Sequence, residues 1–388
     1  MFTIQTLNTI ARAGLERLPP ARYQIGERFD APDAILLRSA DLHARPIPAT
    51  VKAVARAGAG VNNIPVAELS RRGVPVFNAP GANANAVKEL VVAGMLLAAR
   101  NLADALAFVH TLQPDAELDH HVEAEKKRFV GGELAGKTLG VVGLGAIGVK
   151  VANAAYALGM RVVGFDPHMT VEGAWQLDAS VQRAASLNQL FATSDYVSFH
   201  VPLNDATRGL FGAAALQVAK PGVVLLNFAR DGIVAMETLV AGLGDGRIRR
   251  YVTDFPHADL LGHPRVIALP HLGASTGEAE ENCAVMVVEQ LRDFLEHGNV
   301  QHAVNFPSIR MPREGRTRIC IANANRPNMI GQLSHALGEA GVNIAQMHNA
   351  SRGELAYNLV DVDAAVPPTL VRTIGAIDGI LAVRVIDG

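Results

Sequence analysis

Residues 137–150 read KTLGVVGLGAIGVK. Thr138–Gly143 is an apolar run of the length of one buried strand, and the residues from Ala146 onward suit a helix. Between them stand glycines with separate tasks. Gly143 permits a tight turn, Gly145 leaves the backbone open to a close-approaching diphosphate, and Gly148 lets helix and strand pack closely. Ala146 and Ile147 open the helix, where N–H groups without intrahelical partners and the positive dipole end favour an anion. Such a triplet is weak by itself in a chain with 36 glycines; the strand before it and the helix after it give it meaning. The next strand, Arg161–Asp166, ends on an acid 18 residues beyond Gly148. The Asp166 carboxylate suits the adenosine ribose hydroxyls and repels a 2′-phosphate. Pro167 and His168 follow without an Arg or Lys to hold that phosphate, so NAD is favoured over NADP. A capping role after the strand is the plainer alternative for Asp166.

The same rhythm extends in both directions. Downstream, Tyr196–Val201, Val223–Asn227, Tyr251–Asp254 and Val266–Leu269 are further strand candidates, several separated by helical segments. Strands this continuously apolar imply a parallel sheet covered on both faces, hence a doubly wound α/β, Rossmann-like nucleotide domain. Upstream, Phe2–Leu7, Ala34–Arg38, Val51–Ala55 and Val74–Phe77 read as strands of a smaller α/β unit, and residues 84–109 read as one helical stretch. Gln113–Arg128 loses regularity and reads as a helix end or surface loop. After a long helical pattern at Glu278–Glu296, Gly298–Gly315 reads as a linker. The remainder reads β-α-β-β-α-β: Arg318–Ala322, Asn328–Ala340, Val342–Met347, Ala356–Asp361, Thr369–Ile374 and Ile380–Ile386. That order is the ferredoxin-like arrangement.

Composition narrows the function. A chain of 388 residues with 49% apolar but only 5% aromatic residues suits two or three domains built by close helix-on-sheet packing. A formal charge of −2 points away from nucleic acid and from membrane surfaces. Cys283 and Cys320 make no disulfide framework, no metal site is expected, and no apolar stretch approaches the roughly 20 residues that span a bilayer. The N-terminal residues lack a signal-peptide pattern, so the expectation is a soluble cytoplasmic protein.

Polar residues at strand ends supply the chemistry, because a doubly wound sheet opens its ligand crevice there. Arg230 follows Val223–Phe228, Asp259 follows Tyr251–Asp254 after a short loop, and His271 follows Val266–Pro270. Together they suit oxidation of an alcohol beside a carboxylate. Arg230 holds the carboxylate by paired hydrogen bonds, His271 takes the hydroxyl proton, and Asp259 orients the imidazole and favours its charged form. Each has a bland alternative: a salt-bridge arginine, a packed turn histidine, an aspartate of a polar loop.

With these residues the chain resembles the D-isomer-specific 2-hydroxyacid dehydrogenases, and among them the D-3-phosphoglycerate dehydrogenases. The marks are Val142–Gly148, His200-Val-Pro-Leu203 with Thr207, Asn227–Val234 and Pro270–Thr276. The resemblance implies NAD-dependent oxidation of D-3-phosphoglycerate to 3-phosphohydroxypyruvate, with another small 2-hydroxy or 2-keto acid as the alternative. A non-enzymatic NAD-sensing co-repressor is the competitor from another class. It implies cofactor contacts at Gly143, Gly145, Ala146, Ile147, Gly148, Asp166, His200, Pro202, Thr207 and Asp254. Substrate contacts are implied at Arg230 and His271, at the loop Arg56, Ala57, Gly58, Ala59 and Gly60, and at Asn78, with Arg56 matching a phosphate-binding arginine. Asp259 stands where the family has a glutamate, one methylene shorter. The implied domains are a flavodoxin-like substrate domain (residues 1–93 and 281–300), an NAD domain (94–280), a linker (301–316) and an ACT-like regulatory or assembly domain (317–388). The ACT resemblance further implies a homo-oligomer and L-serine as effector, with Asn323, Asn325 and Asn343 as its ligands.

Overall fold

The computed structural model describes residues 1–114, 116–313 and 317–387. Its first sheet is parallel, with β1 (Phe2–Leu7), β2 (Tyr23–Gly26), β3 (Ala34–Leu37), β4 (Ala53–Arg56) and β5 (Val76–Phe77) in the order β2-β1-β3-β4-β5. The edge strand β2 is absent from the sequence reading, because its four residues alternate weakly and end on glycine. Ile4, Ala34, Leu36, Ala53 and Ala55 share a core with Ala284, Val287, Val288 and Leu291 of the helix Gly277–His297. Arg12–Leu15 packs so tightly on that helix that a Cβ at Gly14 would lie 2.7 Å from the Ala284 carbonyl carbon.

The second sheet contains β6 (Thr138–Val142), β7 (Arg161–Phe165), β8 (Gln182–Arg183), β9 (Tyr196–Phe199), β10 (Val223–Asn227), β11 (Ile248–Thr253) and β12 (Val266–Ala268). All pairings are parallel, in the order β12-β11-β10-β9-β6-β7-β8. The winding reverses between β6 and β9, the switch point at which such sheets take ligands. The short β8 also escapes the sequence reading. The stretch expected as one helix is two, Ala84–Arg100 and Leu102–Val109, bent by 72°. Asn101 makes the break in the left-handed region (φ 51°), its amide held by Val130 O and Arg250 Nη2. Within the stretch left irregular, Leu118–Glu125 is helical and Lys126–Phe129 forms a 3-10 turn; residue 115 lies outside the described residues. Among the described residues no single helix is long and apolar enough to cross a membrane.

The third sheet is antiparallel: β13 (Thr317–Ala324), β14 (Ile344–Arg352), β15 (Leu355–Val362) and β16 (Ile380–Asp387), ordered β14-β15-β13-β16. Helices Met329–Glu339 and Pro368–Gly375 cover one face, burying Leu333, Leu337, Leu370 and Ile374 against Ile319, Ile321, Val360 and Val362. The other face, with Cys320, Ala322, Tyr357 and Leu359, joins the core of the first sheet. Met1–Asn83 and the chain from Gly277 onward thus form one compact unit, and Ala84–Thr276 forms another.

The segment expected as a linker is packed. Phe306, Ile309 and Met311 are almost fully buried and Val300 bridges Ile309; residues 314–316 of that segment lie outside the described residues. Arg318 explains the docking. Its guanidinium, 0% exposed, pairs with Asp361 at 2.5 and 2.8 Å and donates to the His297, Met311 and Pro312 carbonyls.

Candidate active site

The glycine loop leaves the C-terminal end of β6 as the sequence requires. Gly143 has φ +90°, and a Cβ there would stand 2.7 Å from the His200 carbonyl oxygen. A Cβ at Gly148 would meet the Gly143 carbonyl oxygen at 1.9 Å. Around Gly145, the extended N-cap of helix Ala146–Ala157, a Cβ would meet nothing within 4 Å. Two glycines are therefore needed for packing, while the third borders open space beside unpaired helix N–H groups. The loop fits a dinucleotide diphosphate.

Asp166 stands after β7, and both its carboxylate oxygens accept backbone N–H groups, from Leu144 at 2.7 Å and His168 at 2.8 Å. It fixes the glycine loop, and this capping role leaves acceptor capacity on both oxygens. Pro202 O accepts the Thr207 hydroxyl at 2.5 Å, which closes a turn together with Asn204. Thr207 is therefore spent on shaping the loop after β9. The His200 ring turns toward Ser198 Oγ (2.8 Å), its Nδ1 is buried without a partner, and burial pulls its pKa down to about 3. His200 is neutral, and what it presents at the glycine loop is its carbonyl rather than its imidazole.

Arg230 and His271 lie beyond the C-terminal ends of β10 and β12, flanking the end of β11. Asn227, the last residue of β10, donates to Arg230 O at 2.9 Å and accepts from Ala229 N at 3.2 Å, so it shapes the turn that carries the exposed guanidinium. His271 has φ +56°, a costly conformation for a residue other than glycine. Its N–H donates to Asp254 O and Leu269 O, and its exposed ring lies 5.1 Å from the Phe255 ring. Asp254, expected to touch the nucleotide, is 1% exposed; its carboxylate accepts the Leu272 and Gly273 N–H groups, each at 2.7 Å. It is a positioning residue for the histidine loop. Asn227 and this role of Asp254 escaped the sequence reading, although a polar residue closing an apolar strand is the available signal.

The structure does not bring Asp259 to His271. Asp259 lies in the 3-10 turn Ala258–Leu260, 62% exposed at its side chain, with its carboxylate 3.5 Å from His257 Nδ1. The shorter side chain follows the local turn rather than the catalytic loop.

In the other unit, Arg56 closes β4 and folds back over its own loop, donating to Arg38 O (2.9 Å) and Gly60 O (2.5 Å). A Cβ at Gly58 would stand 2.8 Å from the Arg56 Nη1, so glycine makes room for this return. Ala57 N donates to Leu37 O and the Asn78 amide to Ala59 O, which completes a rigid loop. Among the expected effector ligands, Asn323 is inaccessible. It is 1% exposed, accepts from the Asn358 amide and donates to Ala324 O, within an Asn349–Asn358–Asn323 ladder across the sheet. Asn325 and Asn343 are exposed, and their amides donate to Gly353 O and Asp363. Among the described residues no group of His, Cys, Asp and Glu could hold a metal ion.

A nucleotide loop on one strand end, with an arginine and an imidazole on others of the same sheet edge, places the molecule among the dinucleotide-dependent dehydrogenases. A family model described as D-isomer specific 2-hydroxyacid dehydrogenase, NAD binding domain, matches residues 92–273. The chain is 33% identical over 345 residues to the D-3-phosphoglycerate dehydrogenase of Methanocaldococcus jannaschii, covering 87% of this chain and 63% of that protein. It is 32% identical to that of Haemophilus influenzae, covering 84% of this chain and 79% of the relative. A glyoxylate reductase structure from Paecilomyes thermophila superposes with TM-score 0.65 at 26% identity, over 78% of this chain and 98% of the other. The chain belongs to the D-isomer specific 2-hydroxyacid dehydrogenase family, and its nucleotide domain is that family's NAD-binding domain.

Proposed function

We propose that this protein oxidises D-3-phosphoglycerate to 3-phosphohydroxypyruvate with NAD, the entry into serine biosynthesis. The observation that carries the reading is the tie between three adjacent strand ends. Asn227 shapes the Arg230 turn, the Asp254 N–H donates to Asn227 O at 3.2 Å, and Asp254 holds the His271 loop. Arg230 binds the substrate carboxylate as a two-toothed donor, and His271 accepts the C2 hydroxyl proton. NAD, when bound, accepts the hydride released from C2. Gly143, Gly145, Ala146, Ile147 and Gly148 hold its diphosphate, and Asp166 its adenosine ribose. In the other unit, Arg56, Ala57, Gly58, Ala59, Gly60 and Asn78 are read as substrate contacts on the family resemblance alone.

The antiparallel βαββαβ sheet is read as an ACT-like regulatory or assembly module, with L-serine as its effector and Asn325 and Asn343 as contacts. The helix Leu102–Val109 supports a homo-oligomer. It buries none of its own residues and exposes Leu102, Leu106 and Val109 at helical spacing, beside exposed Leu118, Val122 and Val130. The deciding assay follows NADH production with D-3-phosphoglycerate, D-lactate, D-glycerate and 2-hydroxyglutarate, with and without L-serine. Turnover confined to an unphosphorylated acid would replace the substrate. NAD binding without turnover on any acid would favour a sensing role.

A further inference from the structure

A cavity of about 190 Å³ lies between the first sheet and the antiparallel sheet, inside one compact unit. Lys52, Arg72 and Arg384 line it with Tyr357, Cys320 and Phe294; the other described lining residues are glycine, alanine and valine, and none of those described is acidic. Arg384 stacks on the Phe294 ring at 4.2 Å and donates to the Phe294 and Leu295 carbonyls, which hold the guanidinium without neutralising it. Its Nε is buried without a hydrogen-bond partner among the described residues. Arg72 is anchored the same way, on the Ile47 and Pro48 carbonyls, with the Glu68 carboxylate 3.7 Å away. Lys52 pairs with Asp33 at 2.7 Å and Arg72 more loosely with Glu68, so of the three cations Arg384 alone has no carboxylate partner among the described residues. Burial pushes the Tyr357 phenol and the Cys320 thiol up, so neither adds negative charge beside Arg384.

A small cavity lined by three cations, of which Arg384 has no counter-charge among the described residues, and otherwise by neutral side chains suits an anion. Its volume falls below the roughly 300–1,000 Å³ of drug-sized sites, which restricts the ligand to a few heavy atoms. We propose that this cavity is a regulatory site for a small oxyanion, a carboxylate or phosphate group on a compact molecule, gripped by Arg384, Arg72 and Lys52. Lys52 immediately precedes β4, whose last residue, Arg56, begins the Arg56–Gly60 loop. An occupant therefore pulls on one end of a four-residue strand, about 13 Å long, that carries the loop at its other end. Arg384 stands on β16, so the same occupant links the antiparallel sheet to that strand.

The test titrates inorganic phosphate and succinate, separately, into the full chain at constant ionic strength with chloride as control. Calorimetry reads affinity, and NADH production reads the effect on activity. One saturable site is expected, weakened at least about tenfold in Arg384→Gln, the worth of one charge-assisted hydrogen bond. Ala49→Phe, at the exposed rim of the cavity, keeps every cation and should block binding and the activity response together. Saturation by phosphate alone or by succinate alone assigns the ligand class. Absence of saturable binding, indifference to both variants, or loss of the site in Arg56→Gln instead would overturn the proposal.

Discussion

The Asn227 side-chain amide donates to the main-chain carbonyl of Arg230 at 2.9 Å, so the last residue of β10 sets the turn from which the guanidinium projects. Asn227 is 1% exposed, and its own carbonyl accepts from Asp254 N and Thr253 Oγ1. Asn227→Asp keeps the acceptor for Ala229 but replaces the donor to Arg230 with a repelling oxygen. The expected result is a fall of kcat/KM of about tenfold to a hundredfold, matching about 1–3 kcal/mol for one spoiled buried polar contact. NAD affinity should stay unchanged. Steady-state kinetics beside a nucleotide titration checks this, and equal losses in both would refute a positioning role.

His271→Asn tests proton transfer without changing the backbone requirement, since asparagine tolerates the positive φ that His271 adopts. Removing a general base costs roughly 10²–10⁴-fold in turnover. The loss should fall on kcat while NAD binding persists, because the glycine loop leaves a different strand. A variant that turns over at the wild-type rate would remove His271 from the reaction.

Gly148→Ala places a Cβ 1.9 Å from the Gly143 carbonyl oxygen, and backbone cannot step aside as a flexible side chain can. Overpacking of this kind costs about 1–3 kcal/mol, spent here on distorting the glycine loop. NAD affinity should fall by at least about tenfold while the far-ultraviolet spectrum is retained. Gly145→Ala, where a Cβ meets nothing, should fold normally and lose affinity only through the nucleotide. Full affinity in Gly145→Ala would show that no ligand approaches that backbone closely.

The contrast between those two glycines marks how far the sequence could be read. Most strands along the chain, the glycine loop, and the strand ends bearing Arg230 and His271 follow from apolar runs and short-range spacing, while the short β2 and β8 do not. The bend at Asn101 does not, because no glycine or proline announces it; an asparagine held by Val130 and Arg250 makes it from a distance. Asp259 looked like a partner of His271 from its place in the chain, yet it sits in an exposed 3-10 turn, its N–H donating to His257 Nδ1 two residues away. Asn323 entered as an effector ligand through the ACT resemblance, whereas a cross-strand ladder buries it. Side-chain direction and long-range partners are what local pattern does not encode.

The half-buried His200, with its Nδ1 inaccessible to solvent, gives the protein an acid-sensitive element. Its pKa in the fold is about 3 against an ordinary value of 6.5, so below pH 6.5 the unfolded chain binds a proton that the folded chain refuses. The contribution to stability is therefore complete above pH 6.5 and is lost as pH falls toward about 3. The slope approaches about 1.4 kcal/mol per pH unit within that window. His200→Gln should flatten this part of the profile of unfolding free energy against pH. An unchanged slope would mean that His200 charges within the folded state.

The Arg318–Asp361 pair tests how the antiparallel sheet is held. Both side chains are almost completely buried, and the guanidinium also serves three carbonyls, those of His297 at the end of the long helix and of Met311 and Pro312. Asp361→Ala leaves this cation buried without its counter-charge, which costs about 3–5 kcal/mol. Replacing both residues, as Arg318→Met with Asp361→Leu, removes the charges but also the donors to those carbonyls. If the ion pair itself dominates, the double variant recovers much of the loss; if carbonyl bonding dominates, it stays as unstable as the single one. Denaturant unfolding of the three chains separates the outcomes. A single variant with wild-type stability would show that the sheet docks through its apolar face alone.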